Sequence, residues 1–540
     1  MRLRSIYLAL FLAGGVVIAI LIAARPSRPA PRPAPSVNAS PAPAPVVATP
    51  DEALAATADL FFSGLRALLA SPEARPHEAT LTFRDDAAYR RFLARASAQG
   101  LSVIAQLDAL HTVRIRYERI AAIQNDILRH TADYTDAAAN NYLRIPDKLT
   151  TADRAALDLI PLRNTTLAAI GATADRTTWG RGVTIAILDS GVNALDPTFN
   201  GRVRTLDVGA GQLPDGTNAS GHGTAVAALA AGLSPDAPGV APAATLLSIR
   251  VTNADGLSDI FTVAQGILAA VDAGAKIINI SLGGYATSNV LLAAIDYADT
   301  HGALIVAAAG NDQATRLTWP AADARVISVG AVDAVGQQVT FSNSGPQLQI
   351  SAPGYGVQTA WINQQRVYVD GTSAAAPLVA GALATVLSAN PTLSATQAWE
   401  ILAATTNDAG APGPDADYGR GTLNLGWALG RNDPTRVDAA LSSHFYDSAR
   451  AQMEIVIQNR GGQALSGLTL DVDTDGLTTN YRVPALAAGA NAVIAVPVDK
   501  TTLATRGALT YKTTLSAPIG INDQDPTNNI KTSRLTAPKP

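Results

Sequence analysis

Val183-Thr184-Ile185-Ala186-Ile187-Leu188-Asp189-Ser190-Gly191 sets a run of strand-forming residues against a carboxylate and a turn. The run does not alternate between apolar and polar residues, so it reads as a strand covered on both faces rather than one. Comparable runs follow at 246–251, 276–282, 303–308 and 326–332. Between and after them lie stretches with helical character at 223–232, 258–273, 288–301 and 374–389. Continuous apolar strands alternating with helices predict an α/β domain over 165–430, its parallel sheet carrying helices on both faces.

In such sheets ligands sit beyond the carboxyl ends of the strands. Asp189 closes the first run there, suited to accept a hydrogen bond from an imidazole, although an Asp after a strand is also an ordinary turn residue. His222 stands in Ser220-Gly221-His222-Gly223-Thr224, and its flanking glycines let backbone or substrate approach the ring. Taken alone, such a histidine is more often structural than catalytic. Asn311 ends Ala307-Ala308-Ala309-Gly310-Asn311, where its amide could support an oxyanion or simply cap a turn. Ser373 lies in Asp370-Gly371-Thr372-Ser373-Ala374 at the start of a helix. Taken alone the position reads first as an ordinary N-cap; it also serves a nucleophile, because negative charge developing on an attacked carbonyl would meet the positive end of the helix.

Asp189, His222, Asn311 and Ser373 follow one another on one α/β region, and there the chain resembles the subtilases. The resemblance rests on 186–192, Gly221-His222-Gly223-Thr224, Asn279-Ile280-Ser281-Leu282-Gly283-Gly284 and Ala308-Ala309-Gly310-Asn311. It continues through 329–333, Ser342-Asn343-Ser344-Gly345-Pro346, Ala352-Pro353-Gly354 and Gly371-Thr372-Ser373. It implies a serine endopeptidase acting on protein or peptide substrates, with Ser373 as nucleophile, His222 as general base and Asp189 orienting the imidazole. Asn311 and the Ser373 amide would hold the oxyanion. Ser281, Leu282, Gly283 and Gly284 would pair with substrate backbone, and with Ala308, Ala309 and Gly310 would wall the main specificity pocket. Walls this small predict room for a large apolar side chain, while Asp312 at the rim would favour a basic one. The chain departs from the family pattern at Ala225, Ala228, Ala374 and Leu378, none of them at a position of proton transfer. The competing reading is a non-catalytic surface-binding protein on the same scaffold, but every chemical position is filled.

The chain has 540 residues, 47% apolar and 16% charged, with a formal net charge of −4. That charge gives no pull toward nucleic acid. The absence of cysteine excludes disulfides, thiolate metal sites and a cysteine nucleophile. No cofactor is expected; the resemblance to the subtilases leaves calcium possible, but no dense carboxylate loop in the sequence identifies a site for it.

Met1-Arg2-Leu3-Arg4 precedes an uncharged apolar run over 6–24, closed by Arg25-Pro26. Residues 1–25 therefore read as a signal anchor, or alternatively a cleaved signal peptide, placing the rest of the chain outside the cytoplasm. The Pro- and Ala-rich 26–50 reads as an extended stalk. Residues 76–146 follow the order strand, helix, strand, strand, helix, strand, a small α+β, ferredoxin-like unit. By element order it resembles the inhibitory propeptide of subtilases, with processing expected between about 145 and 178. The region 436–540 has short alternating runs between Gly- and Asn-bearing turns, the pattern of a β-sandwich. It resembles a CARDB-like or immunoglobulin-like module through 456–462, 483–489 and 525–529. Asp523-Gln524-Asp525 reads there as a turn rather than a metal site.

Overall fold

The computed structural model describes residues 50–537 except 148–149, 151–152, 155–156, 209–220 and 519. The expected anchor and nearly all of the stalk lie outside the described residues. The chain divides into two compact units, one running to residue 142 together with 288–290, the other comprising 143–287 and 291–540.

The first unit opens with a helix, Pro50–Leu69, which packs Phe62, Leu65 and Leu69 into the unit's core. The expected strand–helix–strand–strand–helix–strand order follows: Ala74–Phe83, Asp86–Arg95, Leu101–Leu107, Thr112–Tyr117, Ile120–Arg129 and Tyr134–Arg144. The strands pair antiparallel, with Ala74–Phe83 lying between Thr112–Tyr117 and Tyr134–Arg144. Asp85 caps the first sheet-covering helix by accepting from the Ala88 amide at 2.8 Å. On that helix Tyr89 and Phe92 face Phe83 and Tyr134 in one aromatic core.

The second unit is built on a seven-stranded parallel sheet in the order Ile350–Pro353, Ile327–Val332, Leu304–Ala308, Ile277–Ile280, Thr184–Asp189, Thr245–Arg250, Val203–Asp207. All five strands expected from apolar runs belong to it. Two were not foreseen: Val203–Asp207, a half-exposed edge strand, and Ile350–Pro353, only four residues long. The connection leaving Thr184–Asp189 runs toward one edge of the sheet, to Val203–Asp207, and that leaving Ile277–Ile280 runs toward the other, to Leu304–Ala308. The order therefore reverses between Thr184–Asp189 and Ile277–Ile280, and such a switch point opens a crevice at the strands' carboxyl ends.

The helix Thr372–Ala389 is apolar all round and buried among the sheet and the helix His222–Ala231. It is long and apolar enough to cross a membrane, but it is a core helix here. Its approach to the neighbouring helix requires Gly381, where a Cβ would lie 2.7 Å from Ala230 O. Ala225, Ala228, Ala374 and Leu378, the departures from the family pattern, are all buried in this contact region. Beyond it, two antiparallel sheets, of three and four strands, enclose one core that includes Leu441, Ile455, Leu470 and Tyr511.

Candidate active site

The ends of three strands, Thr184–Asp189, Ile277–Ile280 and Leu304–Ala308, and the starts of two helices, His222–Ala231 and Thr372–Ala389, carry the candidate residues. Asp189 is fully buried at the end of Thr184–Asp189, and one carboxylate oxygen accepts the Ser190 amide at 2.7 Å. His222 opens its helix and places Nδ1 2.8 Å and 3.0 Å from the two Asp189 oxygens. Two glycines make this approach possible. Gly221 has φ 67°, and a Cβ there would sit 2.5 Å from the Trp361 ring. A Cβ on Gly223 would lie 2.3 Å from Gly191 O and 3.2 Å from the Asp189 Cβ. Any side chain at 223 would force the imidazole-bearing turn away from the carboxylate.

Ser373 lies in the first turn of Thr372–Ala389 and is 5% exposed. Its hydroxyl donates to Ser281 O at 3.2 Å, and the Ser281 hydroxyl donates to Ser373 O at 3.2 Å. Asn311 follows the strand Leu304–Ala308. Its Oδ1 accepts from both the amide and the hydroxyl of Thr372, each at 2.9 Å. That fixes the amide group with its oxygen turned to the helix. Gly371, at φ 125°, keeps the adjoining space open: a Cβ there would lie 2.7 Å from Asn311 Nδ2 and 3.6 Å from the Ser373 amide nitrogen. Two N–H donors thus flank one small space beside the Ser373 hydroxyl, a geometry suited to a developing oxyanion.

A cavity of about 310 Å³ is lined by His222, Asn311, Ser373, Trp361, Asp370 and Pro146 among others. Asp370 pairs with Arg154 at 2.7 Å and accepts the Gly356 amide at 2.7 Å. Burial pushes its carboxyl up, against the pull of these two partners. Sequence reasoning gave no role to Trp361, Asp370 or Arg154. Only the closeness of Asp370 to Ser373 in the chain could have drawn attention to it.

The expected substrate strand is already paired, by the chain's own residue 144. Arg144 N donates to Gly283 O at 2.9 Å, and Gly283 N donates to Arg144 O at 3.0 Å. The Ile145 amide donates to Gly256 O at 3.0 Å on the other side. In an antiparallel ladder with 144 opposite 283, residue 146 comes opposite Ser281, whose carbonyl holds the Ser373 hydroxyl. Pro146 has no N–H to continue the ladder. Ala308 closes the strand Leu304–Ala308, which neighbours Ile277–Ile280 in the sheet, and Ala309 and Gly310 follow it toward Asn311. Among the described residues no group of three or more His, Cys, Asp or Glu side chains is arranged to hold a metal ion.

Residues 180–421 match the Subtilase family. The chain is 38% identical over 248 residues to "Subtilisin BL" of Lederbergia lenta, covering 45% of this chain and 90% of that protein. It is 36% identical over 256 residues to "Thermostable alkaline protease" of Halalkalibacterium halodurans, covering 47% and 69%. It is also 36% identical over 256 residues to "Subtilisin DY" of Bacillus licheniformis, covering 46% and 90%.

Proposed function

The chain belongs to the subtilase family and is a subtilisin-like serine endopeptidase; we propose that Ser373 is its nucleophile, and that it is exported and activated by cleavage after its N-terminal unit. The observation that carries the assignment of roles is the convergence of the Asp189–His222 pair, the Ser373 hydroxyl and the two flanking amide donors on one cavity.

The steps follow from those positions. Ser373 Oγ attacks the peptide carbonyl as its proton passes to His222 Nε2. Asp189, holding Nδ1, fixes the tautomer and stabilises the imidazolium. Asn311 Nδ2 and the Ser373 amide take the oxyanion of the tetrahedral intermediate. His222 then protonates the leaving amine, and a water, deprotonated by the same imidazole, hydrolyses the acyl-enzyme. Ser281–Gly284 supplies backbone partners for an extended substrate, the use that Arg144 makes of Gly283.

The ladder at Arg144 supports processing in this part of the chain, because residues 144–147 run along the strand that substrate would use. Export is supported by the charged, then apolar, sequence of 1–25. Peptide or protein substrates would be met outside the cytoplasm, on the membrane or after release from it. The test is casein hydrolysis by the exported chain together with N-terminal mapping of the active species. Activity in a chain cut between 145 and 178, with the Ser373→Ala variant inactive and uncut, supports the reading. Full activity in an uncut chain would overturn the processing step.

A further inference from the structure

The two walls expected to flank the substrate side chain, Ser281–Gly284 and Ala308–Gly310, do not enclose an empty slot. Thr318 stands between them. It is 6% exposed, its amide donates to Ala309 O at 3.0 Å, and its hydroxyl lies 3.4 Å from Ala308 O and 3.3 Å from Ala309 O. The next residue closes on the opposite wall: Trp319 N donates to Gly284 O at 2.7 Å, and Gly284 N donates to Trp319 O at 3.2 Å. Residues 318–319 therefore tie the two walls together across the gap.

The glycines report how full that gap is. A Cβ on Gly283 would lie 2.6 Å from Thr318 Oγ1 and 2.8 Å from its Cβ. From the other wall, a Cβ on Gly310 would lie 2.9 Å from Thr318 Cγ2. One threonine side chain thus abuts the open face of a glycine on each wall. Asn343 packs the same corner, its Nδ2 3.3 Å from Ala309 O and 3.0 Å from the Tyr285 hydroxyl. Its Oδ1 is held by the Asp312 and Ala314 amides, so the side chain is fixed. The rim carboxylate is also engaged, accepting the Tyr285 hydroxyl at 2.6 Å.

We propose that Thr318 fills the recess between the two walls and restricts the residue whose carbonyl Ser373 attacks to small side chains, of the size of alanine. This rests on the endopeptidase reading above and replaces the sequence-based expectation of a large apolar side chain. A substrate phenylalanine or leucine would have to displace a buried, hydrogen-bonded threonine from a packed position, and cores do not yield that space cheaply. Binding energy of even one methylene discriminates about 10- to 200-fold between substrates, and a misfitting ring involves several such groups.

The experiment uses the processed enzyme and a series of peptide p-nitroanilides that differ only in the residue before the scissile bond. The proposal predicts kcat/KM for alanine at least about 100-fold above that for phenylalanine. Thr318→Gly and Thr318→Ser, the second of which keeps the hydroxyl and removes the methyl, should raise the phenylalanine-to-alanine ratio, Gly more than Ser. A change in that ratio is something a merely structural role for Thr318 would not produce. Phenylalanine cleaved as well as alanine by the native enzyme overturns the proposal, and so does an unchanged ratio in a folded Thr318→Ser variant. No cleavage of any peptide by processed enzyme, with no phosphonylation of Ser373, would instead refute the endopeptidase reading.

Discussion

The crevice at the sheet's carboxyl ends and the polar cluster of the C-terminal module both bury polar groups, but they do so in opposite ways. In the crevice each buried group is held by a neighbour of complementary chemistry: Asp189 by His222 and the Ser190 amide, Asn311 by Thr372. In the module, a buried arginine and a half-buried lysine donate to neutral partners, although Asp438 and Asp525 act on the arginine from nearby. Arg460 donates to Gln458 Oε1 at 2.9 Å and to Ser442 Oγ at 3.3 Å, and Lys531 donates to Ser442 O at 2.5 Å. Burial pushes the Arg460 guanidinium down to about 10, and burial followed by Arg460 lowers Lys531. His444 sits between Ser533 and Thr513, pushed down to about 3 by burial and then by Lys531. In the mechanism proposed above, the first arrangement moves a proton. The second sets stability against pH.

The comparison breaks first at Ser373. Ser373→Ala should lower kcat by about a millionfold, the scale known for subtilisin itself, while leaving the thermal midpoint nearly unchanged. Next comes Asn311→Ala, expected to cost about 100- to 1,000-fold in kcat with KM little altered, again a scale known in this family, measurable by steady-state peptide hydrolysis. Third, Gly223→Ala should destabilise the catalytic domain by about 1–3 kcal/mol in denaturant titrations, because its Cβ has no room against Gly191 O.

The last effect, spread over two pH units, sharpens the other side of the comparison. A folded His444 that stays neutral to about pH 3 binds fewer protons than the unfolded chain below pH 6.5. Its contribution is present above pH 6.5 and is lost as pH falls, by about 1.4 kcal/mol for each unit. Chemical denaturation of the full chain between pH 7 and pH 4.5 should show that slope, and His444→Gln should flatten it. Lys531→Met should flatten it in part, by removing the cation that helps to keep the ring neutral.

The crevice was legible in the sequence because its chemistry demands particular residue types at strand ends and helix starts, and apolar runs locate strand ends well. Five strands of the central sheet announce themselves that way. Val203–Asp207 does not, because an edge strand has little need of apolar side chains, and Ile350–Pro353 is too short to show a period. The helix Pro50–Leu69 is not among the expected elements, although Phe62, Leu65 and Leu69 carry helical spacing. Thr318 was invisible for a different reason. Its importance lies in touching two glycines 35 and 8 positions away in the chain, which only folding brings together. Asn343 stands in the motif Ser342-Asn343-Ser344-Gly345-Pro346, which by itself gives it no role. The cluster around Arg460 and His444 also depends on distant partners, and no local pattern marks it.

The most direct test of the assigned roles is mass spectrometry of the processed chain after treatment with a fluorophosphonate, alongside its Ser373→Ala and His222→Ala variants. A single adduct mapped to Ser373 in the native chain, absent from the first variant and strongly slowed in the second, is the predicted result. An unlabelled Ser373 in a folded, processed chain, or an adduct on another residue, would contradict the account.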